Sequence, residues 1–270
     1  MADSQGDFVW YELMTSDADA AQAFYEPLLG WKFAGSGMSD MDYRLGSANG
    51  VEVVGLLELT QDMIGGGARP AWIGYIAVAD IDAALTRLKE QGGQLFMGPN
   101  HLDGVGHMAM VADPQGAPFY LMQPEGEGSE SFAKHEPRDG HCAWNELVSA
   151  DPDAAKAFYF TEFGWSKDGE MPMGAQSNYE FIRHNGLIGA VMPKPDERPA
   201  SLWNYYFRVA NTDLDVEVIA ASGGTLVIGP EDERWDAAFV ARHTLAVSAS
   251  TQVLSAAVQS TSSAFQETVY

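Results

Sequence analysis

The chain is poor in several things, and each scarcity closes off a class of function. A single cysteine, Cys142, stands among 270 residues, so no internal disulfide can form and a disulfide-stapled secreted scaffold is excluded. Basic residues are few, 15 Lys and Arg against 38 Asp and Glu, and a net charge of −23 repels phosphate backbones and anionic lipid. Neither nucleic acid nor a membrane surface is therefore an expected partner. No apolar run approaches the roughly 18 residues of a bilayer-spanning helix. The opening MADSQGDF lacks the basic start and apolar stretch of a leader, which gives the expectation of a cytoplasmic protein. There is also no serine elbow, no phosphate-cradling glycine loop between a strand and a helix, and no Cys/His nucleophile pair. The glycines at 65–67 read as a connector.

What is present is a globular composition, 46% apolar and 20% charged, with length for two cores. A long internal repeat organises it. Trp10 to Trp31 reads WYELMTSDADAAQAFYEPLLGW, and Trp144 to Trp165 reads WNELVSADPDAAKAFYFTEFGW, in register throughout. WIGYIAVADID from Trp72 pairs with WNYYFRVANTD from Trp203, and the Gly92-Gly93…Gly98-Pro99 segment pairs with Gly223-Gly224…Gly229-Pro230. Between the halves, the Gly-, Pro- and charge-rich stretch from Gln123 to Gly140 reads as an exposed linker.

A smaller unit recurs inside each half. Residues 8–15 alternate as a strand does; Asp17 caps a helix with an apolar face of Ala20/Ala21, Phe24 and Leu28, and Gly30 ends it. Asp80 opens a second such helix, with Ile81, Ala84, Leu85 and Leu88 on its apolar face, ending at Gly92-Gly93. Strands are expected at 43–47, 51–58, 94–97, 108–112 and 117–122, with a turn at Asp113-Pro114-Gln115-Gly116. The chain thus reads as α+β, four βαβββ modules in two domains: residues 1–124, a linker at 125–140, residues 141–241, and an anomalous Ser/Thr/Ala-rich tail at 242–270. Where module two ends VADPQGAPFYLMQP, module four reads VARHTLAVSASTQV, and from His243 onward there is no Gly or Pro and one charge, Glu267. Two readings stand: foreign sequence of the kind a shifted reading frame produces, or a substitute strand on the alternation Val247, Ala249, Thr251, Val253.

The pattern W-x-E-L-x-(T/S)-x-D-x-x-A-A-x-A-F-Y-x(4)-G-W, with DPQGAPFYL later, resembles the vicinal-oxygen-chelate superfamily of glyoxalase I, extradiol dioxygenases and bleomycin-resistance proteins. The resemblance implies paired modules whose sheets curl into a cup, lined either by metal ligands or by a ligand-binding wall. It leaves open whether module one pairs with two and three with four, or one with four and two with three. In metal-using members a His or Glu stands on each module's first strand and a Glu on its last. Carried over residue by residue, the first-strand positions fall on Trp10, Tyr75, Trp144 and Tyr206. The last-strand positions fall on Glu58, Tyr120, approximately Met192, and a residue near Ala249. Only Glu58 offers a usual metal-binding group, whereas a catalytic zinc or iron needs about three converging ligands. No catalytic metal or other cofactor is expected.

The substituted positions suggest instead an aromatic-lined cup, with Trp10, Glu58, Tyr75, Tyr120, Trp144 and Tyr206 touching a small hydrophobic or aromatic metabolite or drug. Glu12 and Glu146 lie two residues beyond a pocket Trp, on the same strand face, and a carboxylate facing inward needs a partner or a raised pKa. They are the candidate catalytic residues of the alternative reading, a lyase or isomerase of the glyoxalase type using one of them as general base. The six histidines show no ligand spacing; His101 and His107 flank a glycine-rich loop. Four modules in one chain are compatible with a monomer or weak homodimer, and an unfinished fourth module would leave a sheet edge open to association.

Overall fold

A computed structural model describes residues 5–126, 128–136, 138–173, 178–195, 198, 200–210, 212–224, 244–248 and 256–257. The first half runs β1 (Phe8–Thr15), α1 (Ala18–Leu29), β2 (Lys32–Gly35), β3 (Tyr43–Ala48), β4 (Val51–Glu58), α2 (Gln61–Gly65), β5 (Ala71–Ala77), α3 (Ile81–Glu90), β6 (Gln94–Leu102), β7 (Gly106–Ala112) and β8 (Pro118–Pro124). The second runs β9 (Cys142–Ser149), α4 (Pro152–Phe163), β10 (Ser166–Pro172), β11 (Asn178–Arg183), β12 (Leu187–Pro193), β13 (Leu202–Arg208), α5 (Thr212–Ala221), β14 (Thr244–Ser248) and β15 (Ala256–Ala257). The protein is α+β, built from strand–helix–strand modules on two mixed sheets.

Local chemistry sets the element ends as the repeat implies. Asp17 accepts a hydrogen bond from the Ala20 N–H at 2.8 Å and Asp151 one from Ala154 at 3.0 Å, while Gly30 and Gly164, both at φ 68°, close their helices in the left-handed region. Asp80 caps α3, whose buried face is Ile81, Ala84, Leu85 and Leu88, as its spacing predicts. On α1 the buried set is Ala18, Ala21, Phe24, Tyr25, Leu28 and Leu29; Ala20 is exposed, because the helix turns it one position off the stripe. β2 and α2 carry no period strong enough to be read from sequence.

Sheet one has the order β2-β3-β4-β1-β5-β8-β7-β6, and sheet two β10-β11-β12-β9-β13-β14-β15. Modules one and two therefore share a sheet, as do three and four. The first strands of each pair, β1 with β5 and β9 with β13, run antiparallel at the centre. The tail contributes β14, which holds Val247; Ala249, Thr251 and Val253 lie outside the described residues. β14 runs antiparallel to β13, whereas its counterpart β8 runs parallel to β5.

One face of each sheet packs against helices, and α1 meets α5 as α3 meets α4, so one core cluster draws residues from both halves. The ties are reciprocal. Trp31 donates from Nε1 to the Gly140 carbonyl (2.7 Å) just ahead of β9, and Trp165 donates to the Gly6 carbonyl (2.9 Å) just ahead of β1. Both glycines have positive φ, 91° at Gly6 and 79° at Gly140. A Cβ on Gly6 would stand 2.5 Å from the Phe163 carbonyl oxygen, and one on Gly140 would stand 2.7 Å from the Ala48 Cβ. Arg87 on α3 forks onto the buried Glu162 of α4. The linker is not simply exposed: Ser131 and Ala133 are buried, Phe132 packs edge-on against Phe8, and Lys134 pairs with Asp7, because the groove between the halves offers apolar cover.

Candidate functional site

The face of sheet one turned away from α1 and α3 carries its own apolar cluster. Alternation along β1, β4, β5 and β8 places Met14, Leu57, Ile73, Tyr75, Tyr120 and Met122 there, with Trp10, Tyr43, Met108 and Met110 half-buried around them. Glu12 sits in the middle of this face and is 4% exposed. The Tyr75 hydroxyl donates to its Oε2 at 3.0 Å, and Tyr75 stacks on Tyr120 with ring centroids 4.2 Å apart at 7°. Trp10 donates from Nε1 to the Tyr43 hydroxyl at 3.1 Å. Tyr43 reaches this position because Gly55, opposite Glu12 on β4, has no Cβ; one there would lie 2.1 Å from the phenol oxygen.

Oε1 of Glu12 is buried with no hydrogen-bond partner among the described residues. Burial pushes the Glu12 carboxyl up to about 7, and the hydroxyls of Tyr75 and Tyr43 offset only part of that. Burial, followed by the neighbouring Glu12 charge, likewise raises the Tyr75 phenol.

Sheet two repeats the arrangement around Glu146. Trp144 donates to the Tyr179 hydroxyl (2.8 Å), and Tyr179 and Tyr206 both donate to Glu146 Oε2 at 2.9 Å. The Asn204 amide donates to Oε1 at 2.8 Å. Three donors thus hold this carboxylate, which removes the basis for treating Glu146 as an available base. Opposite Tyr206, where Tyr75 faces Tyr120, the register brings Ala246.

The structure gathers Trp10, Glu12, Tyr75 and Tyr120 into one site and Trp144, Glu146 and Tyr206 into its counterpart. Glu58 belongs to neither. It stands opposite Thr15 on the helix side of β4, where its Oε2 accepts from the Ala18 N–H at 3.0 Å, at the start of α1. Carrying the position over from the resemblance placed it one residue off the cup face, and a one-residue slip reverses the side of the sheet. In module three the register of Glu58 falls on Pro193, opposite Ser149, whereas Met192, opposite Val148, matches Leu57 of the cup face. Sequence reasoning missed Tyr43, Tyr179, Asn204 and the methionines; the alternation of 43–47 alone could have pointed to Tyr43.

A divalent metal does not fit either cup. Each brings one carboxylate among the described residues, surrounded by indole, phenol, amide and thioether groups, and the first-strand ligand positions implied by the resemblance hold Trp and Tyr. Among the described residues, no helix is long and apolar enough to cross a membrane.

Comparison with known proteins accords with this geometry. Residues 7–121 match the family model of the Glyoxalase/Bleomycin resistance protein/Dioxygenase superfamily. A protein of Mycobacterium tuberculosis provisionally named glyoxylase CFP32 is 30% identical over 235 residues, covering 84% of this chain and 87% of its own. The anthracycline biosynthesis protein DauV of a Streptomyces species is 29% identical over 244 residues, 83% of this chain and 84% of its own. In fold, the chain is similar to a Mn(II)-bound glyoxalase from Novosphingobium aromaticivorans (TM-score 0.60, 17% identity, 94% of this chain and 82% of that one). With the repeat, the paired sheets and these matches together, the chain belongs to the glyoxalase/bleomycin-resistance/dioxygenase, or vicinal-oxygen-chelate, superfamily.

Proposed function

We propose that the first half binds a flat, hydroxyl-bearing aromatic molecule on the face around Glu12, without a catalytic metal. The observation that carries this reading is the unpartnered, buried Oε1 of Glu12, an acceptor waiting for a donor. Its surroundings suit a planar guest. Trp10 offers a half-buried indole, and Met14, Met41, Met63, Met108, Met110 and Met122 supply six of the chain's 12 methionines, adaptable thioethers that pack against rings. A relative named for anthracycline biosynthesis supports the same ligand class, since anthracyclines are phenolic polycycles. The second half, with Glu146 already held by three donors, is the weaker candidate for the same ligand.

The test is titration of a hydroxylated anthraquinone into the full chain, followed by tryptophan fluorescence and calorimetry. One saturable site, weakened about tenfold by Glu12→Gln and by Trp10→Ala, is the expected result. Saturable binding that survives both substitutions and disappears with Trp144→Ala would move the site to the other half and overturn the reading.

The Glu12 carboxyl, pushed up to about 7, also favours a second reading: proton removal next to a ligand carbonyl, with Glu12 as base and the Tyr75 or Tyr43 hydroxyl facing the developing enolate. Solvent-deuterium uptake into a bound hydroxyketone separates the two. Exchange that Glu12→Gln abolishes while binding persists supports the enzyme; binding with no exchange in either protein leaves the pocket a carrier.

A further inference from the structure

His101 and His107 stand six positions apart in the sequence with no ligand spacing along the chain, yet the fold makes them direct neighbours. They face each other across the β6–β7 hairpin, with ring centroids 4.5 Å apart and ring planes inclined by 32°. The turn between them uses Gly104 and Gly106, at φ 75° and 130°. Gly106 also does a second job. A Cβ there would lie 2.2 Å from the Gln123 carbonyl oxygen and 3.0 Å from the Glu125 nitrogen, so its absence lets the chain leaving β8 close on the hairpin. The Glu125 N–H then donates to the Val105 carbonyl at 2.9 Å. That contact delivers the Glu125 carboxylate to His101, with Oε1 3.2 Å from Nε2.

We propose that His101, His107 and Glu125 form a separate site for a divalent transition ion of the zinc class. One ligand atom from each lies within 4.8 Å of the other two. Ligands about 2.0–2.1 Å from a tetrahedral ion stand roughly 3.3–3.4 Å apart, so the His101–Glu125 edge is already formed and modest rotation of His107 closes the rest. Two imidazoles with one carboxylate favour zinc, nickel or copper over calcium or magnesium. On the other side of the His101 ring, Nδ1 faces the Asp103 carboxylate at 3.5 Å, an orientation that keeps Nε2 for the ion. A fourth position remains for water.

This site is distinct from the cup. Met108 and Met110 on β7 belong to the cup face, and Ala109 and Val111 to the helix-side core, so alternation puts His107 on the side away from Glu12. The ion would tie the β6–β7 hairpin to the chain that leaves β8 toward the second half.

The experiment uses untagged full-length protein, stripped with chelator and titrated with zinc against a chromophoric competitor, then with cobalt for its visible absorption. One equivalent is expected, with affinity at least about tenfold lower in His101→Ala, His107→Ala and Glu125→Gln. Circular dichroism of each exposed-site variant checks that the fold is kept. The Glu12→Gln and Glu146→Gln single variants, each checked by circular dichroism to be folded, should bind zinc unchanged. No zinc uptake at micromolar concentration, retention of it by the His101→Ala/His107→Ala protein, or its loss on changing the cup carboxylates would each overturn the proposal. None of these results bears on the aromatic ligand, which is measured separately.

Discussion

Residues 73 and 204 hold the same register position in the two halves, opposite Glu12 and Glu146 respectively, and only one of them can donate a hydrogen bond. Ile73 leaves Glu12 Oε1 buried and unpartnered, whereas the Asn204 amide satisfies Glu146 Oε1. The tyrosine on the neighbouring strand and the Trp-to-Tyr bond are common to both halves. Two copies of one network have thus diverged in their donors: Tyr179 and Asn204 join Tyr206 on one carboxylate, which is fixed as structure, while the other has the Tyr75 hydroxyl and is kept short of a partner. Keeping a buried acceptor unsatisfied costs stability, and that cost is the physical reason to look for a ligand at Glu12 rather than at Glu146.

The sharpest way to break this comparison is to make the same change in both halves. Glu146→Gln sets an amide N–H₂ among three donors, so one of Tyr179, Tyr206 or Asn204 loses its acceptor, and we expect a loss of about 3 kcal/mol. Glu12→Gln removes a buried charge that has a single tight donor and should cost less than 1 kcal/mol, or stabilise, at pH 8. Urea denaturation of both variants at that pH decides it; equal losses would mean that the halves are not electrostatically different.

Glu12 should also write its own pH dependence. Its folded carboxyl is raised to about 7 from the ordinary 4.5, so between those values the folded state holds more protons than the unfolded one. The group's contribution is therefore fully present below pH 4.5 and is lost as pH rises through 7. The size is at most about 3 kcal/mol, from 1.36 kcal/mol per unit. Because burial lowers His141 and His184, which act in the opposite sense as pH falls, the readout is the difference between the parent and Glu12→Gln. That difference should be nearly flat below pH 4 and shift in favour of Glu12→Gln between pH 4.5 and 8.

A smaller effect comes from converting one half into the other. Asn204→Ile leaves Glu146 Oε1 without its donor, as Glu12 Oε1 is, and we expect a loss of about 2 kcal/mol. Urea denaturation would show it, and an unchanged stability would show that Tyr179 and Tyr206 alone hold the carboxylate.

Much of this architecture was legible because the repeat carries its own caps: Asp17, Asp80 and Asp151 mark helix starts, and Gly30 and Gly164 mark ends. Strand alternation placed Glu12 and Glu146 on the faces they occupy. It could not give the direction of β14, since a period of two reads the same both ways along a strand. Nor could it find Asn204 or the His101–His107 pair, whose partners are set by register across the sheet and not by spacing along the chain. Glu58 failed for a related reason, a position carried over from the resemblance that arrived one residue from the cup face.

Glu58 supplies the finest contrast between the halves. In the first, the opening helical position is Ala18, whose N–H needs an acceptor, and Glu58 provides one. In the second, that position is Pro152, which has no N–H, and the residue in the Glu58 register is Pro193, which has no side-chain acceptor. Donor and acceptor are present together or absent together. Glu58→Ala should then cost about 1 kcal/mol by orphaning the Ala18 N–H and removing a negative charge from a helix N-terminus. Ala18→Pro alone should strand the Glu58 carboxylate, while the double change should recover most of the loss, since it reproduces the second half. Neither single change should alter affinity for an aromatic ligand, because Glu58 faces the helices. A double-mutant cycle by thermal denaturation with no coupling between the two positions would show that the two prolines of the second half are unrelated.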